Sequence, residues 1–126
     1  MPARLIFILA VILSIGAIAK MAVQLFGFFE NNAEILNAST EVNEIVRVIY
    51  IDYVISGRGL NSLPKDLFSD YLRKRIKIDD SMRDPAKDPW LMSYRITVRP
   101  GDRYEIRSAG PDLEFNTNDD IIATGG

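Results

Sequence analysis

The chain has no cysteine and no histidine. The first absence excludes disulfides, thiol nucleophiles and thiolate metal centres. The second removes the commonest general base and, with it, most zinc sites. Proline is missing between Pro2 and Pro64, and glycine between Gly27 and Gly57, so a long uninterrupted helix is permitted there. Charge is missing from the N-terminus: of 15 basic and 17 acidic side chains, the first 29 residues hold only Arg4 and Lys20. The remainder stands at net −4, which gives no electrostatic footprint for nucleic acid. Ser62-Leu63-Pro64-Lys65 matches S-x-x-K by letters, but S-D-N and K-T-G are absent and a proline sits inside it. The adjacent pairs Asp79-Asp80 and Asp119-Asp120 give no reason to expect carboxylates facing each other across a sugar. The chain is read as a non-enzyme.

What is present begins with Leu5–Phe29. "LIFILAVILSIGAIA" is apolar or small, and after Lys20 the run resumes as "MAVQLFGFF". About 20 apolar residues span a bilayer as a helix. A lysine near the bilayer centre costs roughly 3 kcal/mol, and Lys20 lies late enough in the run to reach outward. Arg4 and the terminal amine on the short side favour N-in, C-out. The rest of the chain is then expected outside the cytoplasmic membrane. Two readings of the segment compete. As an anchor, residues 1–29 stay attached to a globular domain at 30–126. As a secretory signal, Arg4 is the n-region, Leu5–Ile18 the h-region, and Ala17-Ile18-Ala19 a small-x-small cleavage site. Cleavage there leaves a greasy mature start, "KMAVQLFGFF", which favours the anchor.

Downstream, Ile35, Ala38, Val42, Ile45 and Ile49 recur at three- and four-residue steps. Val46, Tyr50 and Tyr53 widen the stripe, and Glu34, Asn37, Glu41, Glu44 and Arg47 fill the other side. That pattern predicts an amphipathic helix. Joined to the apolar run it predicts one rod of about 50 residues and ~75 Å. "SGRGLNSLP" ends it. "PKDLFSDYLRKRI" predicts a second, shorter helix with Leu67, Phe68, Tyr71 and Leu72 on its apolar face, and Arg73, Lys74 and Arg75 at its C-terminus. Ile78–Met92 reads as a loop with two Asp-Pro steps. Tyr94, Ile96 and Val98, then Tyr104 and Ile106, alternate with charged or polar residues. They predict a hairpin turning at Pro100-Gly101-Asp102, its apolar face toward the long helix. "DDIIAT" predicts a third short strand. The fold class is α+β.

The C-terminal segment "AGPDLEFNTNDDIIATGG" carries Asp112, Glu114, Asn116, Asn118, Asp119 and Asp120 within nine positions. So many oxygens suit a hard cation that takes six to eight of them. The spacing is not an EF-hand: Thr117 replaces the required glycine and Ala123 the bidentate glutamate. On chemistry alone, a polar turn held by Asx bonds competes equally with a metal loop.

"KDPWLMSYRI" followed by "RYEIRSAGPDLEFNTNDDI" resembles the C-terminal signature of the major pseudopilin of type II secretion systems. That family reads D-P-W-G-x-P-Y, a strand pair, then S-x-G-x-D-G-x-x-G-x-x-D-D-I. The matching residues are Asp88, Pro89, Trp90, Tyr94, Ser108, Gly110, Asp112, Asp119, Asp120 and Ile121. The order of anchor, long helix, connecting segment, small sheet and acidic loop is also pilin-like. The resemblance implies a single-pass inner-membrane protein with a periplasmic domain. It also implies homo- or hetero-oligomeric assembly with other pilin-like subunits through the N-terminal helix, and weakly bound calcium in the C-terminal loop. The side chains it points to are Asp112, Asp119 and Asp120, with Asn116 or Asn118 as extras. Leu113 and Asn116 stand at family glycines. Asparagine tolerates a left-handed φ and leucine does not, so a remodelled loop is expected. Leu91 and Ser93 replace the glycine and proline of the other motif, where Trp90 and Tyr94 read as packing residues. The family leader G-F-[ST]-x-x-x-E has no match, and the first acid is Glu30. On that difference rests an alternative reading, a signal-anchored or signal-cleaved periplasmic binding module that does not assemble.

Overall fold

The computed structural model describes residues 2–76 and 83–126, without the side chains of 27–31. The start of the expected loop, with Asp79-Asp80, lies outside the described residues, as do the side chains ending the apolar run. Two compact units are present, Met1–Ala33 and Glu34–Gly126. Helix α1 covers Ala3–Ile49. In the first unit Ala3–Phe26 is a helical stretch of 24 residues with mean hydropathy 2.5. By length and composition it can cross a membrane. Phe7, Leu13, Val23 and Phe26 are exposed, an apolar surface that water disfavours.

The second unit is built on the amphipathic stripe. Ala38, Val42, Ile45, Val48 and Ile49 are buried, followed by Tyr53. The helix then widens into a π turn at Tyr50–Ile55. Two expected stripe members lie at its margins instead: Ile35 is 38% exposed and Tyr50 42%. Two short 3₁₀ turns, Leu60–Ser62 and Lys65–Leu67, lead into helix α2, Phe68–Arg75. Leu67 is exposed, against expectation. It precedes α2 at φ −111° and ψ 22°, so it falls off the stripe that Phe68, Tyr71 and Leu72 form.

Strands β1 (Arg95–Arg99), β2 (Arg103–Ser108) and β3 (Ile121–Gly125) form an antiparallel sheet in the order β1-β2-β3. Val98 pairs with Tyr104, and Ile106 lies between Ile96 and Ala123. Alternation puts this apolar set on one face, where it joins Val42, Ile45 and Ile49 in a single core. Each fully buried isoleucine contributes about 1.5–3 kcal/mol. The Tyr104 hydroxyl donates to the Val46 carbonyl oxygen at 2.6 Å, and burial pushes that hydroxyl up to about 12. Tyr94 donates to Glu41. Tyr71 donates to Asp52 at 2.6 Å, where Arg75 also binds at 2.9 Å. These bonds fix the sheet and α2 to helix residues 41–52, and the β2–β3 end of the sheet carries the acidic loop.

Candidate metal centre

The loop spans residues 109–120, between the end of β2 and the start of β3. Its entrance is set by a buried carboxylate. Asp88 is fully buried, and its Oδ1 accepts the Trp90 and Met92 amides at 3.0 and 2.8 Å. Its Oδ2 accepts the Ser108 hydroxyl at 2.7 Å, and Ser108 Oγ accepts the Gly110 amide at 3.2 Å. One carboxylate therefore joins the Asp-Pro-Trp turn to the first residues of the loop. Buried groups of this kind are costly unless hydrogen-bonded, and here every contact is a donor aimed at an acceptor.

Within the loop, Asp112, Asp119 and Asp120 come together. Each offers a carboxylate oxygen, and the three oxygens lie within 4.8 Å of one another. Oxygens about 2.4 Å from a common centre fall within that span, which is the calcium–oxygen distance. At this separation two like charges repel by on the order of 1–4 kcal/mol, from bulk water to near-surface dielectric. The donor set, all hard oxygen, fits calcium.

The same carboxylates shape the backbone. Asp112 accepts the Glu114 amide at 2.9 Å, and Asp119 accepts the Asp112 amide at 3.0 Å. The Thr117 hydroxyl donates to Asp119 at 2.6 Å. Asp120 accepts the Asn116 amide at 2.7 Å and the Arg107 guanidinium at 2.8 Å. The Thr117 hydroxyl and the Glu114 amide hold the Asp112 carboxyl below its ordinary range. Burial pushes Asp120 up, but Arg107 and the Asn116 and Thr117 amides outweigh it and the net direction is down. Both groups are thereby kept ionised, as an ion ligand must be.

Of the residues singled out from sequence, Asp112, Asp119 and Asp120 converge. Asn116 contributes its amide to Asp120, while its side-chain oxygen takes Arg107 at 3.3 Å. Asn118 is exposed and joins none of the hydrogen bonds seen among the described residues. Leu113 takes φ 62° and Asn116 φ 66°, and Leu91, also where the family signature has glycine, takes φ 68°, so leucine does occupy left-handed backbone here, contrary to expectation. The aspartate-to-amide bonds fix the chain around these residues. Arg107 was not visible from sequence, and Asp88, though part of the matched signature, gave no sign there of joining the turn to the loop. The only pointer to Arg107 is the β2–β3 register, Arg107 opposite Ile122, which brings it beside Asp120.

No family model matches the chain, and no solved structure matches it. The long apolar N-terminal helix, the α+β unit and its small antiparallel sheet define a pilin-like protein. Among characterised proteins, type II secretion system core protein G of Escherichia coli (strain K12) is 32% identical, over 96% of this chain and 88% of that protein. The chain belongs to the core protein G family, that of the major pseudopilin.

Proposed function

We propose that the chain is a pilin-like structural component of a type II secretion system or a related pilus-like machine. It spans the inner membrane once, with the C-terminal unit in the periplasm. Its N-terminal helix packs against other pilin-like subunits, copies of itself or relatives. Its role is structural rather than enzymatic. The observation that carries this reading is the apolar, exposed Ala3–Phe26 helix in a chain of this family.

The assembly half is tested in membranes. Because the chain has no cysteine, Ile12→Cys provides a unique attachment point for a photo-activated cross-linker. Adducts to further copies or to other pilin-like subunits are expected. Adducts to lipid alone would overturn assembly and favour the non-assembling binding module.

The second half of the proposal is that calcium binds the loop through Asp112, Asp119 and Asp120. A bound calcium would supply the positive charge that three clustered carboxylates call for. Extracellular sites of this type bind at about 10⁻⁴–10⁻³ M. At about 100-fold excess over Kd, binding to the folded state adds roughly 2.7 kcal/mol. That raises the unfolding midpoint of a domain this size by about 10–20 °C. Full-length chain in detergent, melted in calcium and in chelator, should show that gap, and Asp119→Ala should close it. Equal midpoints for the native chain would remove calcium from the reading.

A further inference from the structure

Arg107 sits on the charged face of β2, between two carboxylates. Its Nε and Nη2 donate to Glu105 Oε1 at 3.0 and 2.7 Å. Its Nη1 donates to Asp120 Oδ2 at 2.8 Å and to Asn116 Oδ1 at 3.3 Å. The Asp120 side chain is 2% exposed and that of Arg107 24%, so water screens this pair poorly. Asp120 is also well supplied with donors. Its Oδ2 takes Arg107 and the Asn116 amide, and its Oδ1 takes the Thr117 amide. Asp112 and Asp119 differ: the bonds they accept come from amides and a hydroxyl, none from a cation. Arg95, directly opposite Arg107 on β1, turns to the Phe115 ring, 3.7 Å from its centroid. Among the described residues, Arg107 is therefore the cation that reaches the three-carboxylate cluster.

We infer that Arg107 is a resident counter-charge of the acidic loop, holding Asp120 when no divalent ion is bound and competing with such an ion for that carboxylate. The inference rests on the calcium reading. A guanidinium fork is a fixed monocation that matches a carboxylate edge. A dication entering the cluster meets its repulsion and must share or displace it at Asp120. Displacement is feasible because Glu105 keeps hold of the other two guanidinium nitrogens, so Arg107 never loses its partner. The arrangement weakens calcium binding relative to three unopposed carboxylates and keeps the loop closed at low calcium.

The test uses full-length chain in detergent, with calcium titrated calorimetrically into native protein, Arg107→Gln and Arg107→Met. The native near-ultraviolet circular dichroism serves as the check that each variant is folded. The second variant keeps the side-chain bulk on β2. Removing a unit charge this close should tighten the calcium Kd by about tenfold or more. In chelator, the same variants should melt at least about 4 °C below the native chain, because Asp120 then lacks its cation. Calcium binding by the variants with none by the native chain would also support competition. Should the native chain bind calcium and both variants bind it within about threefold of the same Kd, the counter-charge assignment is wrong and the calcium reading stands. Should no protein bind at about 10 mM, well above the expected Kd range, the calcium reading itself fails and takes this inference with it.

Discussion

Two glycines with nearly the same backbone conformation allow the loop's geometry to be tested by difference. Gly110 has φ 76° and Gly101 φ 79°. A methyl group on Gly101 meets nothing within 4 Å. A methyl group on Gly110 would stand 2.3 Å from the Asp119 carbonyl oxygen, 3.1 Å from its carbon and 3.3 Å from Asp119 Cγ. Alanine at either position bears the left-handed penalty of roughly 1–2 kcal/mol. Either substitution also gains a few tenths to about 1 kcal/mol from a stiffer unfolded chain. Both terms cancel in the comparison. What remains at Gly110 is a contact that must open by about 1 Å to reach ordinary separation. The atom in the way is backbone, so Asp119 has to move, and its bond to the Asp112 amide stretches with it. Displacing the loop and weakening one such bond adds about 2 kcal/mol. Gly110→Ala should therefore lose about 2–3.5 kcal/mol and Gly101→Ala about 0–1.5. At roughly 6 °C per kcal/mol for a domain of this size, the midpoints fall by about 12–21 °C and 0–9 °C. Near-ultraviolet circular dichroism follows the packed unit through Trp90 and the tyrosines. On the calcium proposal, Gly110→Ala should also lose the calcium-dependent gain, since it moves Asp119. Equal losses from the two substitutions would refute the close approach of Asp119 to residue 110, and with it the loop geometry.

Asp88→Ala should cost at least about 3 kcal/mol in urea unfolding. It leaves the Trp90 and Met92 amides and the Ser108 hydroxyl without their acceptor, each worth roughly 1–3 kcal/mol when buried. A loss under about 1 kcal/mol would mean the turn and the loop are not joined through this carboxylate. With His 0, the melting midpoint should be flat from about pH 5 to 8. It should then fall below about pH 4. Asp84 is held low by Arg73 and Asp112 by Thr117 and the Glu114 amide. At Asp52 and Asp120 burial pushes up, but Tyr71 with Arg75, and Arg107 with two amides, outweigh it. Folded values below the unfolded value of about 3.9 mean stability that is present above it and lost as pH falls through the folded values. A decline setting in near pH 6 would contradict the assignment.

Period-two alternation around Pro100-Gly101-Asp102 reads directly as the β1–β2 hairpin, because one side of each strand must be apolar and the turn needs those residue types. The helix stripe reads nearly as well. It fails at Tyr50, where the widened π turn changes the phase that a 3.6-residue period assumes, and at Ile35, on the stripe's margin. Leu67 fails for a similar reason: a 3₁₀ turn precedes α2, and no local feature of the sequence marks the junction. The three aspartates were legible as an oxygen-rich cluster, since they sit within nine residues of chain. The roles of Arg107 and Asp88 were not, because they depend on strand register and on a bond between residues 20 apart. No local pattern encodes either. The glycine positions of the resembling family mark the left-handed turns correctly. Leucine takes a left-handed φ at two of them, which propensity weighed without the surrounding hydrogen bonds does not anticipate.

Those bonds separate two jobs that an ion is often assumed to do together. Leu113 and Asn116 occupy left-handed backbone at a cost of roughly 1–2 kcal/mol for the leucine and less for the asparagine. Something must hold them there. Asp112, Asp119 and Asp120 do so by accepting the amides of Glu114, Asp112, Asn116 and Thr117, bonds worth about 1.5–3 kcal/mol each because the acceptor is charged. The shape of the loop is thus set by its own carboxylates. What they cannot offset is their mutual repulsion, which grows as they gather to make those bonds. Arg107 neutralises one of the three, leaving Asp112 and Asp119 unopposed by any cation among the described residues. The calcium proposed for this loop would therefore serve charge rather than form. On that proposal, its removal should loosen the loop by raising the electrostatic free energy of a structure whose hydrogen bonds already favour the closed conformation.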